Sequence, residues 1–448
     1  MNNGLLNGHP KGLYLLFFVE MWERFSYYGM RALFVLYMIE YLFSGYTDKV
    51  LATERAGLVY GLYTGLVYLT PLIGGYIADR YKGQRKCIFV GLIFMVIGLI
   101  ILAVSDVSAL FQYSFQLFIL GLFCLILSNG FMKSNISTIV GMLYGNDTQK
   151  RDTGFTIFYM GTNIGALFSP LVCGTIATIY GIKYGFLAGG IGALIGYIIY
   201  KIGEKPLLQE HGLLPYTDKK DENNDNLDKP LTLRERRKLY ALFILMIFSV
   251  IFWLSYEQAG SSMMLFAQYE SNRVINIFGH SFEMPAQYFQ SLNPLFIILL
   301  APLASMLWTF LNSRKKEPNS VVKFNIALLL ISVSYLVMAF AGYLAKTHTV
   351  SPLWLVIVFF IATVAELCIS PIGLSLVTKL APVKFASLVM GCWFLASFAG
   401  NFGAGALAGN YARISHDVFF LIVAGISALA ALLLFILTPV LKKWMGKS

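Results

Sequence analysis

Four charged side chains interrupt the first long apolar segment of the sequence. Residues 17–38 read FFVEMWERFSYYGMRALFVLYM and contain Glu20, Glu23, Arg24 and Arg31. The segment is long enough to cross a membrane, where one charged side chain near the bilayer centre costs about 2.5–3.5 kcal/mol on insertion scales. We therefore expect these four charges to have partners, water or a function.

The spacing of these residues places most of them on one face of a helix. A stripe about 40° wide on an α-helix contains residues at i, i+4, i+7 and i+11, which here are Glu20, Arg24, Tyr27 and Arg31. Glu20 and Arg24 can pair along the helix axis, while Glu23 and Tyr28 flank the stripe. The pattern predicts that the stripe faces protein or a wet cavity and that the apolar back of the helix faces lipid. A self-neutralised ion pair that only holds helices together is the structural alternative.

Further polar residues fall inside other apolar segments of the chain. They are Lys133, Tyr159, Asn163, Trp253, Glu257, Asn293, Glu366, Trp393 and Ser397. With the first segment they supply four carboxylates and three cations, which allows mutual pairing and also leaves both signs available for a substrate that bears both charges. Transporters built from two related halves hold their substrate near the bilayer midplane between those halves. A lone Asn or Ser can equally be helix–helix glue, and either Trp can be core packing.

The composition is that of a membrane protein with many spans. Hydrophobic residues make up 57% of the chain, charged residues 13%, and the mean hydropathy is +0.69, whereas soluble domains carry about 25% charged residues. The formal net charge of +11 does not indicate nucleic acid, because the basic residues cluster beside apolar segments. No C-x-x-C pair occurs among the five cysteines, so we expect neither a disulfide framework nor a zinc site.

About twelve segments are long and apolar enough to span a bilayer. They centre on residues 17–41, 56–78, 87–104, 115–143, 153–180, 184–202, 239–267, 288–311, 321–344, 353–380, 385–411 and 418–441. The polar stretch DKKDENNDNLDK separates the sixth from the seventh. The sequence therefore predicts an all-α polytopic membrane protein with two six-helix bundles, at residues 1–203 and 238–448, joined by a linker at 204–237.

Lysine and arginine predict the orientation of the chain. Basic residues are concentrated in the loops that follow the second, fourth, sixth and eighth segments and in the C-terminal tail. These loops all lie on one side, so the positive-inside rule places both termini in the cytoplasm. An enzyme is not expected, since the sequence contains no H-E-x-x-H, G-x-S-x-G or P-loop motif.

At these residues the chain resembles the proton-coupled oligopeptide transporter family, a branch of the major facilitator superfamily. The first-helix motif E-x-x-E-R-F-x-Y-Y-G stands here as EMWERFSYYG, and the fifth-helix motif as FYMGTNIG. The stretches FWLSYEQAGSS, FQSLNPLF and ELCISPIGLSLVTKLAP are similar to the family's seventh, eighth and tenth helices, and GYIADRYKGQRK resembles the superfamily loop between helices two and three. The resemblance implies the major facilitator fold.

The resemblance also implies roles for individual residues. Arg31 and Lys133, with Arg24 nearby, would attract a peptide carboxylate, and Glu366, helped by Asn163 and Asn293, would bind the amino terminus. The implied pocket lining is Tyr27, Tyr28, Tyr63, Tyr68, Trp253, Trp393 and Ser397. The implied proton-coupling set is Glu20, Glu23, Arg24, Lys133 and Glu257.

The implied function is proton-coupled import of di- and tripeptides by alternating access, with protons as the coupling ion and no cofactor. The resemblance implies a monomeric protein of the bacterial inner membrane. The expected partners are peptide, protons and the lipid bilayer, with no nucleic acid. Two other functions stay open: transport of another amphoteric or anionic small solute, and peptide sensing without transport. The chain departs from the family in lacking room for two extra helices between the halves, and in having Ser134 where proline is frequent.

Overall fold

The structure, a computed structural model, describes residues 5–6, 8–145, 147–215, 231–277, 279–382 and 386–446. Six long helices form the first half of the chain: α1 (Lys11–Tyr37), α2 (Lys49–Ile77), α3 (Gln84–Ser105), α4 (Ser114–Met142), α5 (Thr148–Tyr180) and α6 (Ile182–Leu208). Turns of π-helix extend α1 over Met38–Leu42 and α2 over Ala78–Lys82, and a 3-10 turn at Ser108–Tyr113 precedes α4.

The second half contributes the remaining helices. They are α7 (Leu233–Tyr256), α8 (Ser262–Tyr269), α9 (Leu292–Ser313), α10 (Ser320–Leu344), α11 (Leu353–Leu380), α12 (Ala386–Ala408) and α13 (His416–Met445). Two short antiparallel pairs are the described β-structure: β1 (Leu5–Leu6) with β2 (His9–Pro10), and β3 (Val274–Ile277) with β4 (His280–Glu283). A 3-10 turn at Ala286–Ser291 leads into α9. The predicted all-α class is confirmed.

Each of the twelve predicted segments coincides with a helix, with one interruption. The seventh segment is broken by a 3-10 turn, Glu257–Gly260, that separates α7 from α8. Eleven spans in the described residues are long and apolar enough to cross a membrane. Helix α1 is also long enough to cross a membrane, but it is not one of these eleven because it contains five charged residues. The chain is a multi-pass membrane protein.

Helix α1 packs against α5 and α6, and its apolar back is only partly covered by them. On that back, Phe18, Trp22 and Phe25 are exposed or partly exposed, whereas Gly29, Ala32 and Leu36 are buried, so the prediction that this face meets lipid holds for the first part of the helix and is wrong for the rest. Small residues recur every four positions along α5, at Gly161, Gly165, Ser169 and Cys173, and this ridge packs against α1. Small-x-x-x-small spacing lets helix backbones approach closely, which explains how α5 covers part of α1.

Both ends of the predicted linker are helical. Helix α6 continues to Leu208 and α7 begins at Leu233, both inside the predicted range 204–237. A capping box starts α7, since Thr232 and Glu235 exchange side-chain and backbone hydrogen bonds. Residues 216–230 lie outside the described residues. The division into 1–203, 204–237 and 238–448 stays a prediction.

The first compact unit contains the described residues of Met1–Gly45, Leu66–Asp218 and Pro285–Leu295. Its last segment comes from the second half of the sequence and is bound by polar contacts to α5. The hydroxyls of Thr175 and Tyr288 are 2.6 Å apart, and Ser291 donates to the backbone carbonyl of Leu167 at 2.7 Å. This unit contains most of α1–α6 and the start of α9.

The second compact unit contains the described residues of Tyr46–Gly65, Lys219–Met284 and Phe296–Ser448. Its segment from the first half is the beginning of α2, which packs against α12 through glycines. A methyl group added at Gly61 would lie 2.8 Å from the carbonyl oxygen of Phe402 and 3.0 Å from the Cα of Gly405. Arg413 forms an ion pair with Glu54 at the same end of α2. Each unit thus includes one helix segment from the other half of the sequence.

The close approach of α1 and α5 can be tested by substitution. We expect Gly165→Ala to lower stability, because the added methyl would collide with the backbone carbonyl of Met21, and overpacking costs about 1–3 kcal/mol. The measurement is the thermal unfolding midpoint of the detergent-solubilised protein. The matched control is Gly425→Ala on α13, where nothing lies within 4 Å of the added methyl. Equal midpoints for the two variants would contradict the tight α1–α5 packing.

Candidate functional site

Arg24 lies at the centre of a buried group of charges on α1. Its Nη2 donates to Glu23 Oε1 at 2.8 Å, and its Nε also donates to Glu23 Oε2. The same Nε lies 3.2 Å from Glu20 Oε1, so the i, i+4 pair predicted from the spacing is present. A two-pronged arginine–carboxylate contact is the strongest form of such a pair. Glu23, which the helical stripe placed only at its flank, is thus a principal partner of Arg24.

Glu20 connects this group to two other helices. The hydroxyl of Thr162 on α5 hydrogen-bonds the Glu20 carboxylate, and Lys133 of α4 is close enough to attract it. We call Glu20, Glu23, Arg24 and Lys133 the α1 charge cluster. The carboxylate that attracts Lys133 thus comes from a different helix. Thr162 was not predicted, because a lone threonine in an apolar segment gives no signal of its own.

Aromatic rings cover the cations of the α1 charge cluster. The Arg24 guanidinium lies 5.2 Å from the centre of the Tyr27 ring, and Tyr27 packs edge-on against Tyr28 at 5.1 Å. The Lys133 ammonium lies 4.4 Å from the centre of the Tyr68 ring. Cation–π contacts of this kind stabilise desolvated cations. The structure therefore brings together five residues that the sequence analysis had assigned to two different roles, coupling and pocket lining.

The other predicted residues of the first unit lie in less specific surroundings. Arg31 is partly buried on α1, seven residues beyond Arg24. Asn163 is buried on α5, and its side-chain amide donates to the Tyr159 carbonyl at 2.9 Å, a contact within one helix. Asn293 lies in the first turn of α9. Their predicted roles stay predictions.

Asn129 is a buried polar residue that the sequence analysis missed. It lies on α4, one turn before Lys133, and is 0% exposed. Among the described residues, none lies within hydrogen-bonding distance of either its amide nitrogen or its amide oxygen. A buried amide without a hydrogen-bond partner is unfavourable. Asn129 is therefore an unsatisfied polar side chain one helical turn from Lys133.

Ser134 occupies the place where the family often has proline. Its hydroxyl donates to the backbone carbonyl of Pro71 on α2 at 3.1 Å, and α4 runs uninterrupted from Ser114 to Met142. The charge of Lys133 is thus carried on a regular helix that is joined to α2 by this hydrogen bond.

In the second unit, Glu366 is held by a tyrosine that the sequence analysis overlooked. The hydroxyl of Tyr256 donates to Glu366 Oε2 at 2.6 Å. Tyr256 packs edge-on against Trp253 at 5.4 Å and is stacked with Phe252 at 5.8 Å. The motif FWLSYEQ thus supplies an aromatic group and a hydrogen-bond donor that together position the carboxylate on α11.

Glu257 occupies the first position of the turn that breaks the seventh span. Its side chain is 3% exposed and lies close to the hydroxyl of Tyr335 on α10. That hydroxyl donates to the Ser255 carbonyl at 2.6 Å, a backbone group at the end of α7. Interruptions of this kind often mark hinges and ion sites in membrane helices. The structure therefore places the buried Glu257 carboxylate at the break between α7 and α8.

The remaining predicted lining residues of the second unit are buried in its helices. Trp393 and Ser397 lie one turn apart on α12, and the Ser397 hydroxyl donates to the Trp393 carbonyl at 3.3 Å. Asn401 continues this ladder by donating to the Ser397 carbonyl at 2.9 Å. These hydrogen bonds lie within α12 and join no other helix, so the predicted role of Ser397 stays a prediction. Tyr63 is 2% exposed on the first part of α2.

Asp79, in the π-helical turn after α2, lies outside the charge cluster and accepts a hydrogen bond from the Gln84 side chain at 2.7 Å. Within the part of the chain that the structure describes, no group of three or more His, Cys, Asp or Glu residues is arranged to hold a metal ion.

The pairing of Arg24 can be tested by removing one or both partners. Arg24→Gln should destabilise the protein strongly, because it leaves Glu23 buried without its two donors, and breaking a buried ion pair costs about 3–5 kcal/mol. The double variant Glu23→Gln/Arg24→Gln should recover much of this loss, since no charge is left alone. Thermal unfolding in detergent measures both. A double variant no more stable than Arg24→Gln would contradict the pairing.

Comparison with known proteins identifies the relatives of this chain. The sequence matches the POT family over residues 85–212 and 223–429. It is 33% identical to the di-/tripeptide transporter of Lactococcus lactis subsp. lactis, over 98% of this chain and 97% of that protein. Two solved structures of a POT family transporter, with 5-aminolevulinic acid and with a thioalcohol-conjugated peptide, are each 30% identical to it, with a TM-score of 0.86 over 98% of both chains. The chain therefore belongs to the POT family of major facilitator transporters.

Proposed function

We propose that this protein is a proton-coupled symporter that imports di- and tripeptides by alternating access. The observation that carries the proposal is the α1 charge cluster, in which Arg24 is shared by Glu20 and Glu23 and Lys133 lies beside Glu20. Each cation in it has a carboxylate partner that can be neutralised by one proton. Membership of the POT family and the peptide-transporting relative from Lactococcus support the same function.

Protonation of a carboxylate would change what its cation can bind. An ionised Glu20 holds Lys133 and Arg24 by charge, and the charged form is favoured by those neighbours. When Glu20 takes up a proton, this attraction is lost and the cations can engage the carboxylate of a peptide. The Thr162 hydroxyl can donate to the carboxylate or accept from the acid, so Glu20 stays hydrogen-bonded in both states. Release of the proton would then displace the peptide.

The two ends of a peptide require opposite charges. We assign its carboxylate to Arg31 and Lys133 and its amino group to Glu366, which Tyr256 holds by a hydrogen bond. Asn163 and Asn293 would help to bind the amino group. The aromatic side chains Tyr27, Tyr28, Tyr63, Tyr68, Trp253 and Trp393 would line the pocket, with Ser397. Aromatic rings present apolar faces with polar tips, which suits side chains of varied character.

The setting of this transport is also part of the proposal. We place the protein in the bacterial inner membrane as a monomer with both termini in the cytoplasm, since the basic loops lie on one side of the predicted topology. An inward-negative membrane potential would then assist proton entry, by about 2.3 kcal/mol per charge per 100 mV. The proposed function involves no catalysis and no bound cofactor. Protons serve as the coupling ion.

Glu257 should be required for coupling but not for peptide movement itself. In proteoliposomes with an imposed pH gradient, we expect Glu257→Gln to abolish concentrative uptake of labelled di-alanine while exchange of labelled for unlabelled di-alanine continues. The glutamine keeps the size and hydrogen-bonding capacity of the side chain but cannot carry a proton. Glu204→Gln, in the ion pair of α6 with Arg85, is the matched control and should retain uptake. Equal loss of uptake and exchange, or loss of neither, would contradict a coupling role for Glu257.

The assignment of the peptide ends can be tested with blocked ligands. Arg31→Gln should weaken competition by di-alanine about 10- to 100-fold, since hydrogen bonds to charged groups contribute about 1.5–3 kcal/mol. It should barely affect di-alanine amide, which has no carboxylate. Glu366→Gln should show the reverse selectivity, with a large loss for di-alanine and little change for N-acetyl-di-alanine. Inhibition of labelled uptake measures all four combinations, and identical losses for free and blocked ligands would contradict the assignment.

A second candidate is transport of another amphoteric solute. The observation that favours it is that a solved relative of 30% identity is in complex with 5-aminolevulinic acid, which also bears an amino group and a carboxylate. Competition by 5-aminolevulinic acid without competition by di-alanine would support this candidate over the first. Binding of di-alanine without accumulation would instead support a peptide sensor.

A further inference from the structure

An apolar groove runs along the outside of α1 between α5 and α6. Its volume is about 450 Å³. The floor is formed by Met21, Trp22 and Phe25 of α1, and the walls include Phe168 and Val172 of α5 and Ile191 of α6. Phe168 and Ile191 are 52% and 60% exposed. The groove therefore opens on the outer surface of three membrane-spanning helices, where the surrounding medium is lipid.

Small residues create the depth of this groove. Gly165 of α5 approaches the Met21 carbonyl so closely that a methyl group would not fit there. A methyl group at Gly192 of α6 would lie 2.6 Å from the Phe25 ring, and Ala188 lies one turn away on the same helix. The backbones thus come together at the floor, while these positions supply no large side chain to fill the space above it.

The end of the groove nearest the α5–α6 turn has the features of a membrane interface. Tyr180 and Tyr184 stand one turn beyond the lining residues Ile176 and Ala188, and their rings meet edge-on at 6.5 Å. The ammonium of Lys183 lies 5.2 Å from the centre of the Tyr184 ring. Tyrosines and lysines at such positions meet lipid headgroups.

One acidic residue also lies at this end of the groove. The Asp106 carboxylate accepts a hydrogen bond from the backbone nitrogen of Lys183 at 3.1 Å and attracts its ammonium. Burial raises the pKa of Asp106. A phosphate would therefore compete with Asp106 for Lys183, and it could gain hydroxyl contacts from Tyr180 and Tyr184.

We propose that this groove holds one acyl chain of an anionic phospholipid, with its phosphate at Lys183 and the two tyrosines. Among the lining side chains, only the indole of Trp22 can donate a hydrogen bond and none is a strong acceptor, which does not suit a peptide backbone. A transmembrane helix is about 10 Å across, which is too wide for a groove of this volume, whereas an acyl chain is one carbon wide. Transfer of a chain from bulk lipid gains little hydrophobic free energy. The fit of the acyl chain and the charge of the headgroup therefore determine which lipid binds in the groove.

Occupation of the groove would affect the helix that carries the charge cluster. The helical turn places Met21, Trp22 and Phe25 on one side of α1 and Glu20, Glu23 and Arg24 on the other, so the lipid chain would pack against the side opposite the paired charges. The proposed lipid is thus a lateral support for α1. This inference concerns the outer surface of the helix and does not depend on which solute is transported.

The test uses the full-length protein in proteoliposomes that contain a photoreactive phosphatidylglycerol with a diazirine in its acyl chain. Mapping the crosslinks by mass spectrometry should show labelling concentrated on the groove segments of α1, α5 and α6. Ala188→Trp fills the groove and should reduce this labelling several-fold. The matched control is Ala428→Trp, on the exposed face of α13, which should leave it unchanged. Labelling spread evenly over all lipid-facing helices, or no loss in Ala188→Trp, would overturn the proposal.

A second experiment tests the headgroup preference without the groove-filling variant Ala188→Trp. A phosphatidylcholine probe with the same diazirine chain should label the groove several-fold less than the phosphatidylglycerol probe. Lys183→Gln should reduce that preference while the overall yield of labelled lipid-facing helices stays the same. Equal labelling by the two probes in the wild-type protein would overturn the anionic assignment, as would a preference unchanged by Lys183→Gln.

Discussion

The need to pair every ionised group at membrane depth governs the architecture around α1. A guanidinium or carboxylate left alone in this environment is strongly unfavourable, and Arg24 meets the requirement for Glu23 and Glu20 together. The same need explains why α5 and α6 pack against the helix. Gly161 and Gly165 bring α5 against α1, which excludes lipid from the charged face and brings Thr162 to Glu20. The motifs EMWERFSYYG and FYMGTNIG are therefore two sides of one helix contact.

The second unit solves a related problem with a different arrangement. Its predicted carboxylates are Glu257, at a break in a helix, and Glu366, held by Tyr256. The first unit's predicted set has three cations and two carboxylates, whereas the second unit's predicted set is acidic. The two predicted sets thus differ in the sign of their net charge.

The spacing of residues along each segment predicted much of the charge pairing on α1 and the positions of the helices. The i, i+4 pair of Glu20 and Arg24 follows from helix geometry, and apolar length located the long helical segments of both halves. Glu23 was underrated because neighbouring residues do not face each other on a helix, yet a long arginine side chain can fold back to reach it. The break at Glu257 was missed because the segment stays apolar through the small residues of AGSS, and hydropathy does not distinguish a turn from a helix.

Contacts between distant parts of the sequence could not be predicted in this way. Tyr256 and Glu366 are 110 positions apart, and nothing in either segment alone indicates the other. The same holds for the exchanged segments of the two units, such as the beginning of α2 against Gly405 of α12. The apolar back of α1 was assigned to lipid because amphipathicity shows that a face is apolar but not whether lipid or another helix covers it.

Proton movement driven by peptide is the most direct test of the account. The protein is reconstituted into liposomes that contain a pH-sensitive dye, with no pH gradient imposed, and an inside-negative potassium diffusion potential is applied. Addition of di-alanine outside should acidify the lumen, and free alanine should not. Entry of labelled di-alanine without acidification would contradict the claim that the charges on α1 couple peptide transport to protons.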